Sequence, residues 1–332
     1  MNKFKIGIIG LGVGEQHLKK YIKISGCEVV SIYDKNINKL KLISKKYNVN
    51  FCKNENEILK NKDINLISIA SYDDKHFSQA SKAILNNKNV FIEKPAFSNI
   101  NECLKIKNLL KKRNVAIYSN LLLRTSERFT SLRKKIEKKQ LGKIYYIEGD
   151  YNYGRLSKIT KGWRSKIKNY SVTLGGGIHL IDLILFLMNK KIKKVRASGN
   201  KIVTGKNASF NDFVSAELIF EDGIIAKVNS NFGCVYPHFH KLNIYGSLKT
   251  FENHMHYEKI FTKRNVNVFN KIKSKYLPNS KGELIKYFIR NLNSKKQKKK
   301  LINDTFKTLS VCFAIEKSLK KNGFVNVKYV KV

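Results

Sequence analysis

The sequence predicts an α/β protein in which a doubly wound parallel sheet is followed by an α+β domain with a largely antiparallel open sheet. Three observations predict it. Strand and helix signals alternate with short connections through the first 119 residues, a glycine-rich turn follows the first strand, and the alternation breaks down from about residue 120. With 332 residues and 42% hydrophobic content, the chain can bury two substantial cores. We therefore expect one domain over 1–119 and a second over 120–332.

Residues 5–9 read as the first strand, 15–24 as a helix and 28–33 as a second strand. A lysine-rich helix over 36–47 carries Leu40, Leu42 and Ile43 as its apolar stripe. Residues 66–70 are a short apolar strand, of the kind found in sheets covered on both faces. A helix over 74–86, a strand over 89–92, a helix over 101–113 and a strand over 115–118 complete the series. Beyond it, 143–151 reads as a long strand and 177–188 as an apolar helix. Residues 213–220 and 223–231 form a hairpin around Glu221-Asp222-Gly223, and 242–246 is a further strand. The stretch through about 279 carries little pattern. Helices over 281–293 and 303–321 follow, with the lysines of 295–300 in a solvated turn between them, and 325–330 closes as a strand.

Composition excludes several classes. No apolar run approaches the eighteen or more residues a membrane span needs, and residues 1–5 lead straight into the first strand, with no room for a secretory signal. A cytoplasmic protein without a membrane partner is expected. The five cysteines include no Cys-x-x-Cys pair, which argues against a disulfide framework and a zinc site. His238 and His240 have the spacing of a ligand pair but no third ligand at a suitable distance in sequence, so no metal is expected. A formal charge of +42 would suit a polyanion partner. However, only nine of the 66 basic residues are arginine, the preferred reader of bases and phosphates, and the lysines spread along the whole chain. With abundant Asn and Ile and three Pro, this is the composition of AT-rich codons, and no nucleic-acid partner is expected.

The turn reads Gly10-Leu11-Gly12-Val13-Gly14, so its third glycine comes one residue earlier than in G-x-G-x-x-G. Gly10 permits the tight turn and Gly12 the close approach of a pyrophosphate, while the helix that follows offers amides and a favourable dipole. A strand before and a helix after make this a predicted Rossmann dinucleotide site. Asp34 ends the second strand about twenty residues on, where a carboxylate accepts from adenosine ribose hydroxyls and repels a 2′-phosphate. NAD is thereby favoured over NADP. The alternative for Asp34 is a cap on the helix beginning near Asn36. Lys94 leaves strand 89–92 at the edge where such sheets bind ligands, and lysine readily becomes an acid or base when desolvated.

The ordered set Gly10-x-Gly12-x-Gly14-x-x-His17, Ala70-Ser71-Tyr72-Asp73-Asp74-Lys75-His76, Glu93-Lys94-Pro95, Leu141-Gly142-Lys143-Ile144 and Gly175-Gly176-Gly177-Ile178-His179-Leu180-Ile181-Asp182 resembles the Gfo/Idh/MocA family of sugar and cyclitol oxidoreductases. The resemblance covers nearly the whole chain. It implies a Rossmann domain, cofactor contacts at Gly10, Gly12, Val13, Gly14, Asp34, Ser71, His76, Glu93 and Lys94, and a second domain whose open sheet joins subunits into a homo-oligomer. It also implies that Lys94 and His179 face the nicotinamide and the substrate. Oxidation of a secondary alcohol requires removal of a hydroxyl proton, which a lysine or histidine within reach can accept.

On the substrate side we expect Asn120, Arg124, Tyr153, Arg164 and Asp182, with Arg155 and Trp163 as further candidates. Arg164 could clamp a carboxylate or phosphate. Asp182, three residues after His179 on a helix, could orient the imidazole. One position departs from the family. Many members carry an Asp four residues before the histidine, and this chain has Gly175. A Lys94–His179 dyad is therefore expected in place of a triad. The expected activity is NAD-dependent hydride transfer to or from a sugar, nucleotide-sugar or cyclitol; the alternative is an inactive NAD-binding regulator.

Overall fold

The computed structural model describes residues 4–167, 170–265 and 268–332. The chain divides into two compact units, and neither is continuous in sequence. The first takes the described residues of Met1–Leu122 with Asn279–Lys307 and Val330–Val332; the second takes Leu123–Pro278 and Thr308–Tyr329.

In the first unit, strands β1 (Phe4–Ile9), β2 (Cys27–Tyr33), β3 (Leu66–Ile69), β4 (Asn89–Ile92) and β5 (Ile117–Ser119) alternate with helices α1 (Gly14–Tyr21), α2 (Ile37–Tyr47), α3 (Glu55–Lys60), α4 (His76–Leu85) and α5 (Ile100–Lys111). All strand pairs are parallel, in the order β2-β1-β3-β4-β5. This is the doubly wound sheet the alternation predicted. Ile8, Leu66, Ile67, Ile69, Val90, Phe91 and Ile92 are buried because helices cover both faces. The order reverses between β1 and β3, and the turns leaving their C-terminal ends flank the crevice where such sheets bind ligands. Asparagines start several helices: Asn36 accepts from the Lys39 amide at 3.0 Å and Asn99 from that of Glu102 at 3.0 Å.

Two details of this unit differ from the sequence reading. On α2, Leu40 and Ile43 are buried but Leu42 is 68% exposed, since residue 42 lies about 200° around the helix from residue 40. Helix α9 (Glu283–Arg290), late in the chain, belongs here: Phe288 meets Phe91 at 5.5 Å and stacks on Tyr118 at 6.2 Å.

The second unit is built on a nine-stranded sheet. Its strands are β6 (Ile144–Asn152), β7 (Ile192–Asn200), β8 (Phe213–Phe220), β9 (Ile225–Asn231), β10 (Phe239–Gly246), β11 (Thr250–Asn253), β12 (Glu258–Phe261), β13 (Phe269–Ile272) and β14 (Val325–Asn326). The order is β13-β12-β11-β10-β6-β9-β8-β7-β14, antiparallel except for the β6–β9 pair. Helices α6 (Glu127–Glu137), α7 (Ser157–Thr160) and α8 (Ile178–Met188) accompany it. All of α8 but Phe186 is buried, as its apolar residues on every face require, and His179 and Asp182 are buried with them. On β6, Ile147 and Tyr151 are buried while Glu148 and Asp150 face the other way and pair with Lys227 and Lys241.

The lysines of 295–300 do not form a turn. They begin α10 (Lys295–Lys321), where Ser294 accepts from the Gln297 amide at 3.2 Å and Lys298 reaches the Asn114 carbonyl at 2.8 Å. Lysine is a good helix former, so a polar run after a capping serine continues a helix as readily as it breaks one. The strand expected over 325–330 is only the two-residue β14. Among the described residues no helix is long and apolar enough to cross a membrane.

Candidate active site

The glycine turn has the shape its spacing predicted. Gly10 has φ of 85°, and a Cβ there would lie 2.5 Å from the Ala70 carbonyl oxygen, so only glycine joins β1 to α1 this tightly. A Cβ on Gly14 would meet Ile8 at 3.2 Å, which sets how closely α1 lies on the sheet. At Gly12 a Cβ would meet nothing within 4 Å. The turn is therefore open at the one glycine where a pyrophosphate would approach, and among the described residues the amides of Gly12 and Val13 make no hydrogen bond. These residues fit a dinucleotide. Asp34 accepts from the Leu11 amide at 2.6 Å through Oδ2 and from the Asn36 amide at 2.8 Å through Oδ1. It holds the glycine turn and starts the next one, and each carboxylate oxygen keeps a second lone pair for a ligand.

Ser71 and His76 pin the neighbouring loops. The Ser71 hydroxyl donates to Gln79 Oε1 at 2.6 Å. Fully buried His76 donates from Nδ1 to the Pro95 carbonyl at 2.7 Å, with Nε2 3.3 Å from the Ser71 carbonyl, and so ties the segment after β3 to the segment after β4.

Beside half-buried Lys94, Glu93 is the centre of a buried polar network. His17 Nε2 lies 3.1 Å from Glu93 Oε1 and His17 Nδ1 lies 3.0 Å from Ser68 Oγ, so one tautomer donates to the carboxylate and accepts from the serine. Asn120 Nδ2 donates to Glu93 Oε1 at 2.6 Å and to the Lys281 carbonyl at 2.7 Å. Burial by itself would push the Glu93 carboxyl up, but the hydrogen bonds from His17 and Asn120 and the Lys94 charge hold it below its ordinary value. A carboxylate with a lowered folded-state pKa stabilises fully above its unfolded value and loses that contribution as pH falls through the folded value. Glu93→Gln should therefore lower Tm clearly at pH 7, and the gap to the wild type should close as pH falls through and below about 4.5. A gap that stays constant between pH 7 and pH 3 would refute the ionised network.

In the second unit, α8 is preceded by one turn of π-helix, Thr173–Gly177, and the glycines let that turn approach its neighbours closely. A Cβ on Gly176 would lie 2.2 Å from Tyr151, and one on Gly177 2.0 Å from the Ser230 hydroxyl. His179, in the first turn of α8, is 8% exposed. It stacks on Tyr151 of β6 at 6.1 Å and meets His240 of β10 edge-on at 5.6 Å. Tyr151 and His240 are register partners across these strands. Tyr153 stacks on Tyr151 at 6.0 Å, His238 lies 5.4 Å from Tyr153, and the Arg155 guanidinium lies 5.7 Å from the Tyr153 ring. Burial pushes the Tyr151 phenol well up, so it remains a neutral hydroxyl. Arg164 lies over Trp163 at 4.3 Å.

Of the residues expected on the substrate side, the structure brings Tyr153 to His179 through Tyr151. Asp182 is committed elsewhere: Arg124 donates from Nε to Oδ2 at 2.8 Å and from Nη2 to Oδ1 at 2.6 Å, and Thr308 donates to Oδ1 at 2.8 Å. This buried bidentate pair braces α8 one turn after His179. Tyr151 was not singled out as a site residue, and His240 was weighed only as a metal ligand, although strand alternation from Ile147 through Gly149 points Tyr151 inward. Among the described residues no group of three or more His, Cys, Asp or Glu is arranged to hold a metal ion.

Residues 4–121 match the model of the Gfo/Idh/MocA oxidoreductase family with its NAD-binding Rossmann fold, and residues 129–252 match that of the Gfo/Idh/MocA C-terminal domain. Myo-inositol 2-dehydrogenase of Thermotoga maritima is 21% identical over 253 residues, 73% of this chain and 73% of the relative. Scyllo-inositol dehydrogenase of Lactobacillus casei, solved with NAD(H) and scyllo-inositol, superposes with a TM-score of 0.74 at 19% identity, covering 98% of this chain and 99% of that one. Levoglucosan dehydrogenase in complex with NADH gives 0.81 at 16% identity over 99% of this chain and all of that one. The glycine turn, the Glu93-Lys94-Pro95 segment and the two matched domains together establish that the chain belongs to the Gfo/Idh/MocA family of NAD-binding oxidoreductases.

Proposed function

We propose that this oxidoreductase uses NAD in preference to NADP and acts on a secondary hydroxyl, or the corresponding ketone, of a sugar, nucleotide-sugar or cyclitol. The observation that carries the reading is the pairing of a dinucleotide cradle open at Gly12 with an amine, Lys94, on the same ligand-binding edge of the sheet. Inositol dehydrogenases among the relatives support the substrate class. Gly10, Gly12, Val13 and Gly14 would hold the pyrophosphate, and Asp34 the adenosine ribose. The bound nicotinamide would supply the hydride acceptor.

The chain's own work is to bind the alcohol and to manage its proton. Lys94 is the proton acceptor, and Glu93 fixes the segment that carries it. Asn120 positions Glu93, and its Oδ1 is a buried acceptor without a partner among the described residues, suited to a substrate hydroxyl. His179 is a further proton-active group, set on an aromatic wall that suits the apolar face of a sugar ring. Arg124 and Asp182 hold α8, and with it His179, in place.

Fluorescence titration with NADH and NADPH, followed by turnover on a polyol panel, tests the proposal. NADH should bind more tightly than NADPH. Gly12→Val should leave Tm unchanged and weaken NADH binding by about tenfold or more, because the new side chain fills ligand space alone. Equal NADH binding by this variant would refute the cradle. Tighter binding of NADPH would overturn the preference assigned to Asp34.

A further inference from the structure

The segment before α3 brings a second carboxylate to the edge of the sheet that carries the glycine turn. Phe51 pairs in parallel with Ile32, and the Cys52 amide donates to the Ile32 carbonyl at 3.0 Å, so this segment runs beside the last residues of β2. Asn54 then turns the chain into α3, accepting from the Asn56 amide at 2.9 Å. Glu55, the first residue of α3, is thereby left at the C-terminal end of the strands, the edge at which such sheets bind nucleotides.

Two short hydrogen bonds fix it there. Gln79 of α4, 2% exposed, donates from Nε2 to Glu55 Oε2 at 2.6 Å and accepts the Ser71 hydroxyl on Oε1 at 2.6 Å. Ser71 lies two residues beyond β3, so the chain Ser71–Gln79–Glu55 joins the ends of β3 and β2, the two strands that flank β1. Asp34, the residue after β2, stands at the same edge and accepts from the Leu11 amide of the glycine turn. Burial raises the phenol of Tyr33, the last residue of β2, and the charges of Glu55 and then Asp34 raise it further.

The acids of this edge are not treated alike. Glu15, in the first turn after the glycines, is neutralised by Lys46 at 3.0 Å and accepts from the Tyr47 hydroxyl at 2.8 Å. Asp34 and Glu55 accept only from neutral amides and make no ion pair among the described residues; Lys35, next to Asp34, is exposed to solvent. Negative charge is compensated beside the turn that would hold the pyrophosphate and left standing at the end of β2, where the adenosine ribose would lie. A 2′-phosphate would bring about two further negative charges to that place, and partly buried carboxylates are screened less than surface ones.

We propose that Glu55 is a second specificity-determining carboxylate of the adenosine subsite, which together with Asp34 excludes the 2′-phosphate of NADP. Glu55 acts through its charge, and Gln79 positions it. The inference rests on the dinucleotide reading above and deepens it.

The test is fluorescence titration of the full-length protein with NADH and with NADPH at about 50 mM salt. Glu55→Gln keeps an acceptor for Gln79 and removes the charge. It should tighten NADPH binding about three- to tenfold and leave NADH binding within about twofold of the wild type. That gain should shrink at about 0.5 M salt, because it comes from charge. Asp63→Asn removes the same charge from the turn entering β3, at the opposite end of the strands, and should change neither affinity. An NADPH affinity that Glu55→Gln leaves unchanged, an equal weakening of both cofactors, or a gain no larger than that of Asp63→Asn would each overturn the inference. A wild type that prefers NADPH would overturn it together with the role of Asp34. Failure to bind NADH at all would instead overturn the dinucleotide cradle on which it rests.

Discussion

Lys94→Ala should lower kcat by about 10²- to 10⁴-fold, the usual contribution of a positioned acid–base group, while NADH binding and Tm stay near those of the wild type. The reasoning runs from geometry to chemistry. Lys94 lies two residues beyond the end of β4, it is half-buried, and its neighbour Glu93 is held by His17 and Asn120. An amine fixed in this way can lose and regain a proton without first leaving bulk solvent. KM should change little, because the lost interaction is made mainly in the transition state. Steady-state kinetics on any accepted polyol, with NADH affinity measured in parallel, is the check. Full turnover by the alanine variant would remove Lys94 from the chemistry.

The largest expected effect on stability is at Arg128, not at any residue of the candidate site. Its side chain is fully buried in the second unit, on α6. It donates to Ser274 Oγ at 2.9 Å, to Asn253 Oδ1, and to the carbonyls of His254 and Ser274, with Glu258 3.6 Å away. One planar cation thus gathers the ends of β11, β12 and β13. Arg128→Met leaves the buried Glu258 carboxylate with Lys135 and the Ser274 hydroxyl and orphans several acceptors, which should cost about 3–5 kcal/mol. Tm should fall on the order of 10 °C. Arg128→Lys should recover little, since an ammonium cannot reproduce the fork. Scanning calorimetry that finds Tm within a degree or two of the wild type would refute the hub.

Arg128 also explains the least legible part of the sequence. The stretch before residue 279 carried little pattern, yet it forms three antiparallel strands. Strand β13 has no buried residue, so the period-two signal that marks a half-buried strand is absent. The hydrogen bonds that hold the stretch come from a residue about 125–150 positions away, and no local window contains them. The lysine run was misread for a related reason: composition reports solvent exposure, and both a turn and the outer face of a helix satisfy it.

The candidate site divides in the same way. The glycine turn, Lys94 and the glycines before His179 were legible because each is a short motif whose backbone demands are local. The partnership of Arg124 with Asp182 was not, since two residues expected to touch substrate bind one another across 58 positions.

The sequence by itself determined the doubly wound sheet, the open sheet after it, the glycine turn and the position of the lysine. Periodicity, glycine and strand ends act over a few residues, and a single chain displays them. Only the tertiary structure decided which polar groups satisfy one another and which volume each side chain fills. That is why the glycine at position 175 was visible in the sequence, while the Tyr170 phenol beside it was not: the phenol reaches that volume through the fold, and no spacing rule encodes it.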